Sequence, residues 1–230
     1  MWRSFVALLL LAAPVGAQEN ATAYEALRNV GTQFGRGVLN HVVSITGVKG
    51  DPQPARWKII LDDANGRGVR ELEIADGKID SDERPDRSVA GSAEGATIKV
   101  SRLNLDSSGA FAVARHIADT SHTQFATADY TLRTDERGEP IWIVTLLSRS
   151  SHPVGTIYIG ATHGIVKRTE GMFAGATMED VATDYDQEEG IPIIRDAKKT
   201  IKHGFYKAQE QARGMFEKVK RSFSDFINRG

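Results

Sequence analysis

The run Ile141-Trp-Ile-Val-Thr-Leu-Leu147 is the most informative part of the sequence, because it has an earlier counterpart in Trp57-Lys-Ile-Ile-Leu61. Both runs are rich in aromatic and β-branched residues and follow a turn-forming segment with Gly and Pro, which predicts a strand. The two tryptophans lie 85 residues apart. The same offset relates two further apolar pairs, Leu72 with Ile157 and Ile74 with Ile159. We therefore predict an internal repeat.

A helical pattern precedes the strands in each half of the chain. The first begins at Thr22, where Glu25 completes a capping box, and its apolar residues recur at helical spacing as far as Phe34. The second begins at Ser107 or Ser108. The short links between the predicted strands favour antiparallel pairing. The sequence therefore predicts an α+β protein of two similar units, each a helix packed on an antiparallel β-sheet, followed by a long C-terminal amphipathic helix.

The structural anchors of these units are predicted to be the residues that repeat: Trp57, Trp142, Leu72, Ile74, Ile157 and Ile159. We place the first unit at residues 18–90 and the second at residues 91–176, with an acidic linker at 177–193 and the helix at 194–230. The alternating segment Thr97–Leu103 is expected to be a further strand, either the last of the first sheet or the first of the second.

Residues 1–17 have the pattern of a secretory signal peptide. Arg3 supplies the positive charge, an apolar run extends from Phe5 to Ala13, and small residues end at Ala17. The run is too short for the roughly 20 residues of a membrane span. We expect a periplasmic or secreted protein.

Composition excludes several classes of protein. The chain has 230 residues, 40% of them hydrophobic, a formal net charge of −1 and no cysteine. A disulfide scaffold, thiol catalysis and cysteine-ligated zinc are excluded, and the charge argues against a nucleic-acid partner. We expect no cofactor.

The second half resembles the PepSY family of small exported α+β domains. The resemblance lies in the segment Tyr130–Leu146 and in Gly155–Lys167, where an apolar strand, a turn with Gly and an apolar return follow one another. Two such units in tandem are similar to the architecture of β-lactamase inhibitory proteins. The resemblance implies a binding or inhibitory module that acts outside the cytoplasm, and it implies no catalytic residues.

The C-terminal segment has a basic, amphipathic pattern. Residues 195–230 contain ten Lys and Arg against four Asp and Glu, whereas residues 18–194 contain 18 basic and 26 acidic residues. An apolar stripe with heptad spacing runs along the segment and includes Phe205, Met215, Val219, Phe223 and Phe226. Three roles stay open for it: docking on the body of the protein, self-association, and binding to an anionic membrane surface.

Motifs for catalysis or metal binding are weak. Gly91–Gly95 contains a serine between glycines without the spacing of a nucleophile elbow. His116 and His122 lie six residues apart, which is not a zinc motif. An acidic patch suits either Ca²⁺ or solvent, and consists of Asp76, Asp80, Asp82, Glu83 and Asp86.

The resulting functional hypothesis is an exported, non-catalytic binding or inhibitory module that contacts a protein or peptide. Its expected contact residues are the outward strand positions and the loops Arg133–Glu139 and Ser148–His152. The alternatives are an envelope-associated structural protein held at the membrane by its C-terminal helix, and a hydrolase with a dispersed site. A histidine within hydrogen-bonding reach of a serine or carboxylate in a cleft would favour the hydrolase.

Overall fold

A computed structural model describes residues 20–62, 68–85, 96–172 and 225–226. The first part of the chain forms α1 (Ala23–Phe34), a 3-10 helix (Arg36–His41), β1 (Val42–Gly50), β2 (Arg56–Asp62), β3 (Val69–Ala75) and β4 (Lys78–Glu83). The second forms a 3-10 helix (Val100–Arg102), α2 (Ser107–Thr120), β5 (Thr127–Thr134), β6 (Pro140–Leu147), β7 (Pro153–Gly160) and β8 (Val166–Glu170). The predicted signal peptide, at residues 1–17, lies outside the described residues.

Local sequence explains where these elements begin and turn. The predicted capping box at α1 is confirmed, since the Thr22 hydroxyl accepts from the backbone N–H of Glu25 while the Glu25 carboxylate accepts from that of Thr22. Asp106 is the N-cap of α2. Asp76 and Gly77 connect β3 to β4 with φ values of 49° and 68°, the left-handed conformations that a tight hairpin turn requires.

The eight strands of the described residues all belong to one antiparallel sheet, in the order β4-β3-β2-β1-β5-β6-β7-β8. The prediction of two units, each with a helix on its own sheet, is therefore wrong. β1 and β5 are the first strands of the two halves, and they pair along the register Ile45 to Leu132, Thr46 to Thr131 and Gly47 to Tyr130. This pairing satisfies backbone groups that two separate sheets would each leave at an exposed edge.

The hydrophobic core is also continuous. One cluster of buried residues includes side chains from both helices and from both halves of the sheet. At its centre the rings of Trp57 and Trp142 meet edge to face at 6.4 Å, and Tyr130 contacts both. Aromatic pairs in such arrangements stabilise a core beyond the area they bury. The two tryptophans therefore join the two halves at one site.

One further expectation differs from the structure, and two others fall mostly outside the described residues. The segment Thr97–Leu103 forms no strand and instead contains the 3-10 helix Val100–Arg102. Ile98, Val100 and Leu103 are buried in this segment. The alternation of apolar residues therefore reflects contacts with the core and not a strand. The linker at 177–193 and the helix at 194–230 lie outside the described residues, except for Asp225 and Phe226.

Candidate functional site

The sheet has one face on the core and one face away from it. Trp57, Ile59 and Leu72 point into the core cluster, so by strand alternation their neighbours point the other way. We call this second surface the open face. One row of paired residues crosses it through all eight strands: Ser81, Glu73, Lys58, Thr46, Thr131, Ile143, Tyr158 and Arg168.

The β2–β4 side of the open face is charged, and its charges are paired. Lys58 forms an ion pair with Glu71, and Arg56 forms ion pairs with Glu73 and Asp80. Cross-strand pairs of this kind each contribute a few tenths of a kcal/mol up to about 1 kcal/mol. Since these groups already have partners, this side offers an incoming ligand little uncompensated charge.

The β5–β8 side of the open face carries hydroxyl groups and an aromatic ring. Thr145 and Thr156 are paired across β6 and β7 with their hydroxyl oxygens 3.3 Å apart. The Arg168 guanidinium lies 4.2 Å from the centre of the Tyr158 ring and also forms an ion pair with Glu170 at 2.8 Å. Arg168 and Tyr158 are therefore held in place before any partner binds.

The loop Ser148–His152 brings a histidine and two serines together. The Nδ1 of His152 lies 2.9 Å from the Ser150 hydroxyl, which lies 2.9 Å from the Ser148 hydroxyl. Ser150 and His152 are exposed at the tip of the β6–β7 hairpin. They do not lie in a cleft, so the arrangement expected of a hydrolase is not met at this loop.

The loop Arg133–Glu139 is ordered by Asp135. One carboxylate oxygen accepts from the backbone N–H groups of Arg137 and Glu139, and the other accepts from Lys167 at 2.6 Å. Burial raises the pKa of Asp135, but the bond to Lys167 and the two N–H groups outweigh it and leave that pKa below its usual value. The carboxylate thus ties this hairpin to β8.

The six predicted anchors lie in the core, on the side of the sheet away from the open face. Trp57, Leu72, Ile74, Trp142, Ile157 and Ile159 are all nearly inaccessible to solvent. The indole N–H of Trp57 donates to the carbonyl of Ala21 at 2.7 Å, and that of Trp142 donates to the carbonyl of Leu105 at 2.8 Å. Each tryptophan therefore fixes the chain two residues before a helix begins.

The N-termini of α1 and α2 meet at Asp106, which sequence analysis did not single out. A single carboxylate oxygen of Asp106 accepts from the N–H of Tyr24 at 3.0 Å and from that of Ser107 at 2.6 Å. The Ser107 hydroxyl accepts from the N–H of Ala23 at 3.0 Å and lies 2.7 Å from the side-chain oxygen of Gln53. Donors of one helix are thus satisfied by the first residues of the other.

Asp106 is buried, and burial raises its pKa to about 6. The Thr22 hydroxyl and the N–H groups of Ser107 and Tyr24 act in the opposite direction and lower that pKa. The only sequence signal for this residue is an aspartate directly before a helix, a position where it commonly acts as a cap. Its contact with α1 has no sequence signal, because 82 residues separate Asp106 from Tyr24.

The acidic patch does not gather at one point. Asp80 forms an ion pair with Arg56. Asp82 accepts two hydrogen bonds from Arg70, at 2.6 and 2.7 Å, in a bidentate contact. Asp86 lies outside the described residues. Among the residues that are described, no three His, Asp or Glu side chains come close enough together to hold a metal ion, and this includes His116 and His122.

Of the five apolar residues expected to form a membrane or self-association face, only Phe226 falls in the described part of the chain, where it lies against α1. Phe205, Met215, Val219 and Phe223 lie outside that part. None of the helices in the described ranges has the length and apolar character needed to cross a membrane.

Comparisons with known proteins found no matching family model, no matching curated protein and no matching solved structure. The functional argument therefore depends on the residues of this chain.

Sequence analysis also did not single out Ile143 and Tyr158, two large side chains of the open face. Their signal is the alternation within β6 and β7. Ile143 lies between the buried Trp142 and Val144, and Tyr158 lies between the buried Ile157 and Ile159.

Proposed function

We propose that this chain is an exported, non-catalytic binding module that contacts a protein or peptide partner through the open face of its sheet. The observation that carries the proposal is the row from Ser81 to Arg168, which extends the same surface across all eight strands. The sequence grounds for export are the signal-like residues 1–17, and the resemblance to PepSY domains favours a binding role.

The size of the open face suits a protein partner. At about 4.8 Å between strands and about 3.3 Å per residue along them, eight short strands cover roughly 34 Å by 20 Å. That area approaches the roughly 800 Å² that each partner buries in a protein–protein interface of standard size. Small-molecule sites, in contrast, are concave and enclose most of the ligand.

The chemistry of the β5–β8 side supports the same proposal. Tyrosine and arginine are enriched among the residues that dominate binding energy, and Tyr158 and Arg168 are adjacent and already ordered. Ile143 is paired directly with Tyr158 and adds apolar surface beside the ring. Thr131 and Thr145 flank this pair with hydroxyl groups that both donate and accept hydrogen bonds.

The test places a large charged side chain on the open face and compares it with the same charge elsewhere. Thr145→Arg projects from β6 into the proposed contact surface, whereas Ser108→Arg adds the same charge at an exposed position of α2. Each variant and the unmodified chain are immobilised and exposed to envelope extract and culture medium of the source cells. Retained polypeptides are identified and then titrated as purified proteins.

We expect Thr145→Arg to weaken binding of the retained partner at least about tenfold, equivalent to about 1.4 kcal/mol, and Ser108→Arg to leave it unchanged. Equal binding by both variants would show that the open face is not the contact surface. Turnover of a substrate by the purified chain would contradict the non-catalytic role.

A further inference from the structure

Phe226 packs on α1 at Gly31, a position where the helix has no side chain of its own. Its ring packs against the edge of the core cluster, directly over Gly31. A Cβ atom at Gly31 would lie only 3.2 Å from the Cζ of Phe226 and 3.1 Å from the Cδ1 of Leu39. The absence of a side chain at this helical position therefore makes room for the ring.

Two guanidinium groups flank the same ring. The Cζ of Arg36 is 4.8 Å from the ring centre and that of Arg28 is 5.8 Å from it, both within the range of cation–π attraction. The residue before Phe226 is Asp225, whose negative charge suits a surface with two arginines. The surface thus matches an acidic residue followed by an aromatic one.

We propose that this surface of α1 is the docking site of the chain's own C-terminal segment, residues 194–230, with Phe226 as the anchor. The proposal goes beyond binding at the open face, because it concerns a different surface and an occupant within the same chain. It selects one of the three roles that the sequence leaves open for this segment.

Connectivity favours this occupant. Residues 195–230 carry ten basic and four acidic groups, but six of the 26 acidic groups of residues 18–194 belong to the linker at 177–193, so residues 18–176, with 18 basic and 20 acidic groups, attract the segment only weakly. Fifty-two residues join Met172 to Asp225, and a chain of that length reaches about 170 Å when extended. A tethered segment also meets its site at an effective concentration of about 1 mM, far above that of a second copy in dilute solution.

Docking on α1 and insertion into a membrane exclude each other at Phe226. Both use the same ring, which can contact either Gly31 or lipid. The competing roles therefore differ in where residue 226 lies in solution, and a distance-dependent measurement distinguishes them.

The experiment uses the absence of cysteine from the chain. Gly230→Cys in the full chain accepts one spin label, and the backbone amide signals of α1 are recorded by NMR. Phe226→Ala removes the anchor, and Gly31→Leu fills its place. Thr32→Leu adds the same side chain at the next, exposed position of α1 and is the matched control.

We expect the label to broaden the α1 amides in the parent and in Thr32→Leu. Because the phenylalanine ring loses its buried contact, the equilibrium constant for docking should fall at least about tenfold in Phe226→Ala and Gly31→Leu, and the broadening should fall with it. The amide signals of β5–β8 show whether each variant is folded, and Phe226→Ala tests the proposal even if Gly31→Leu does not fold.

Three results would overturn the proposal. The first is an absence of broadening in the parent while it binds vesicles of phosphatidylglycerol and phosphatidylcholine, which indicates a membrane role. The second is equal broadening when the label and the isotope are on different chains, which indicates a second copy. The third is loss of broadening in Thr32→Leu as well as in Gly31→Leu, which shows that the ring has no defined place on α1.

Discussion

Replacement of Asp106 with asparagine should remove a pH-dependent part of the stability of this protein. The side chain caps α2 and accepts from the N–H of Tyr24 in α1, and asparagine keeps the oxygen that does both. The variant changes the ability of the group to ionise and preserves its shape. The comparison therefore isolates the cost of a buried carboxylate at the contact of two helices.

The magnitude follows from the pKa. Burial raises the pKa of Asp106 from 3.8 to about 6, and each pKa unit corresponds to about 1.36 kcal/mol. Between these two pH values the folded state holds a proton that the unfolded state has lost. The free energy of unfolding should therefore fall by about 3 kcal/mol as the pH rises through this window, and the contribution should be constant above it.

Urea unfolding of the parent and of Asp106→Asn at pH 4, 5, 6 and 7 measures this effect as the difference between the two stability curves. We expect the parent to lose about 2 kcal/mol relative to the variant between pH 4 and pH 7, because part of the total loss occurs below pH 4. The stability at a single pH is less informative, because the new amide N–H₂ takes the place of the carboxylate oxygen that has no hydrogen-bond partner among the described residues.

Asp135→Asn is the matched control for this prediction. The pKa of Asp135 lies below its usual value, so its contribution to stability is present above the unfolded pKa and is lost as the pH falls. Its difference curve should therefore be nearly flat from pH 4 to pH 7 and should have the opposite sign below pH 4. Parallel stability curves for the parent and Asp106→Asn would contradict this prediction, because they would mean that this carboxyl group titrates alike in both states.

Two further substitutions test the packing around the tryptophans. Gly47→Ala should destabilise the protein by about 1–3 kcal/mol, because its Cβ would lie 2.5 Å from the Cγ of Pro54 and 2.9 Å from the ring of Trp57. Gly37→Ala, with open space around it, should leave the midpoint of thermal unfolding nearly unchanged. Trp142→Phe should lower the free energy of unfolding, measured in urea, by about 2 kcal/mol, because it shrinks a buried ring and leaves the carbonyl of Leu105 without its donor. A loss below about 0.5 kcal/mol would show that this hydrogen bond contributes little.

Local sequence patterns were sufficient to predict individual helices and strands. The Thr22 and Glu25 pair predicted the start of α1, and that start is confirmed. Alternation failed at Thr97–Leu103, because buried apolar residues in an irregular segment give the same pattern as a half-buried strand.

The open face was only partly accessible to sequence reasoning. Alternation within β6 and β7 assigns Ile143 and Tyr158 to the side away from the core. It gives no information about their neighbours, because the pairing of Ile143 with Tyr158 on one side and Thr131 on the other depends on strand register.

Short-range features could be derived from the amino-acid sequence: the helix cap at Thr22, the strand runs around Trp57 and Trp142, and the 85-residue offset between them. The way in which the two halves combine could be seen only in the folded molecule. β1 and β5 have the same alternation whether each ends its own sheet or pairs with the other. Hydrogen bonding between them, the contact of the two indole rings and the approach of Tyr24 to Asp106 all join residues about 80 or more positions apart, and no local pattern encodes such contacts.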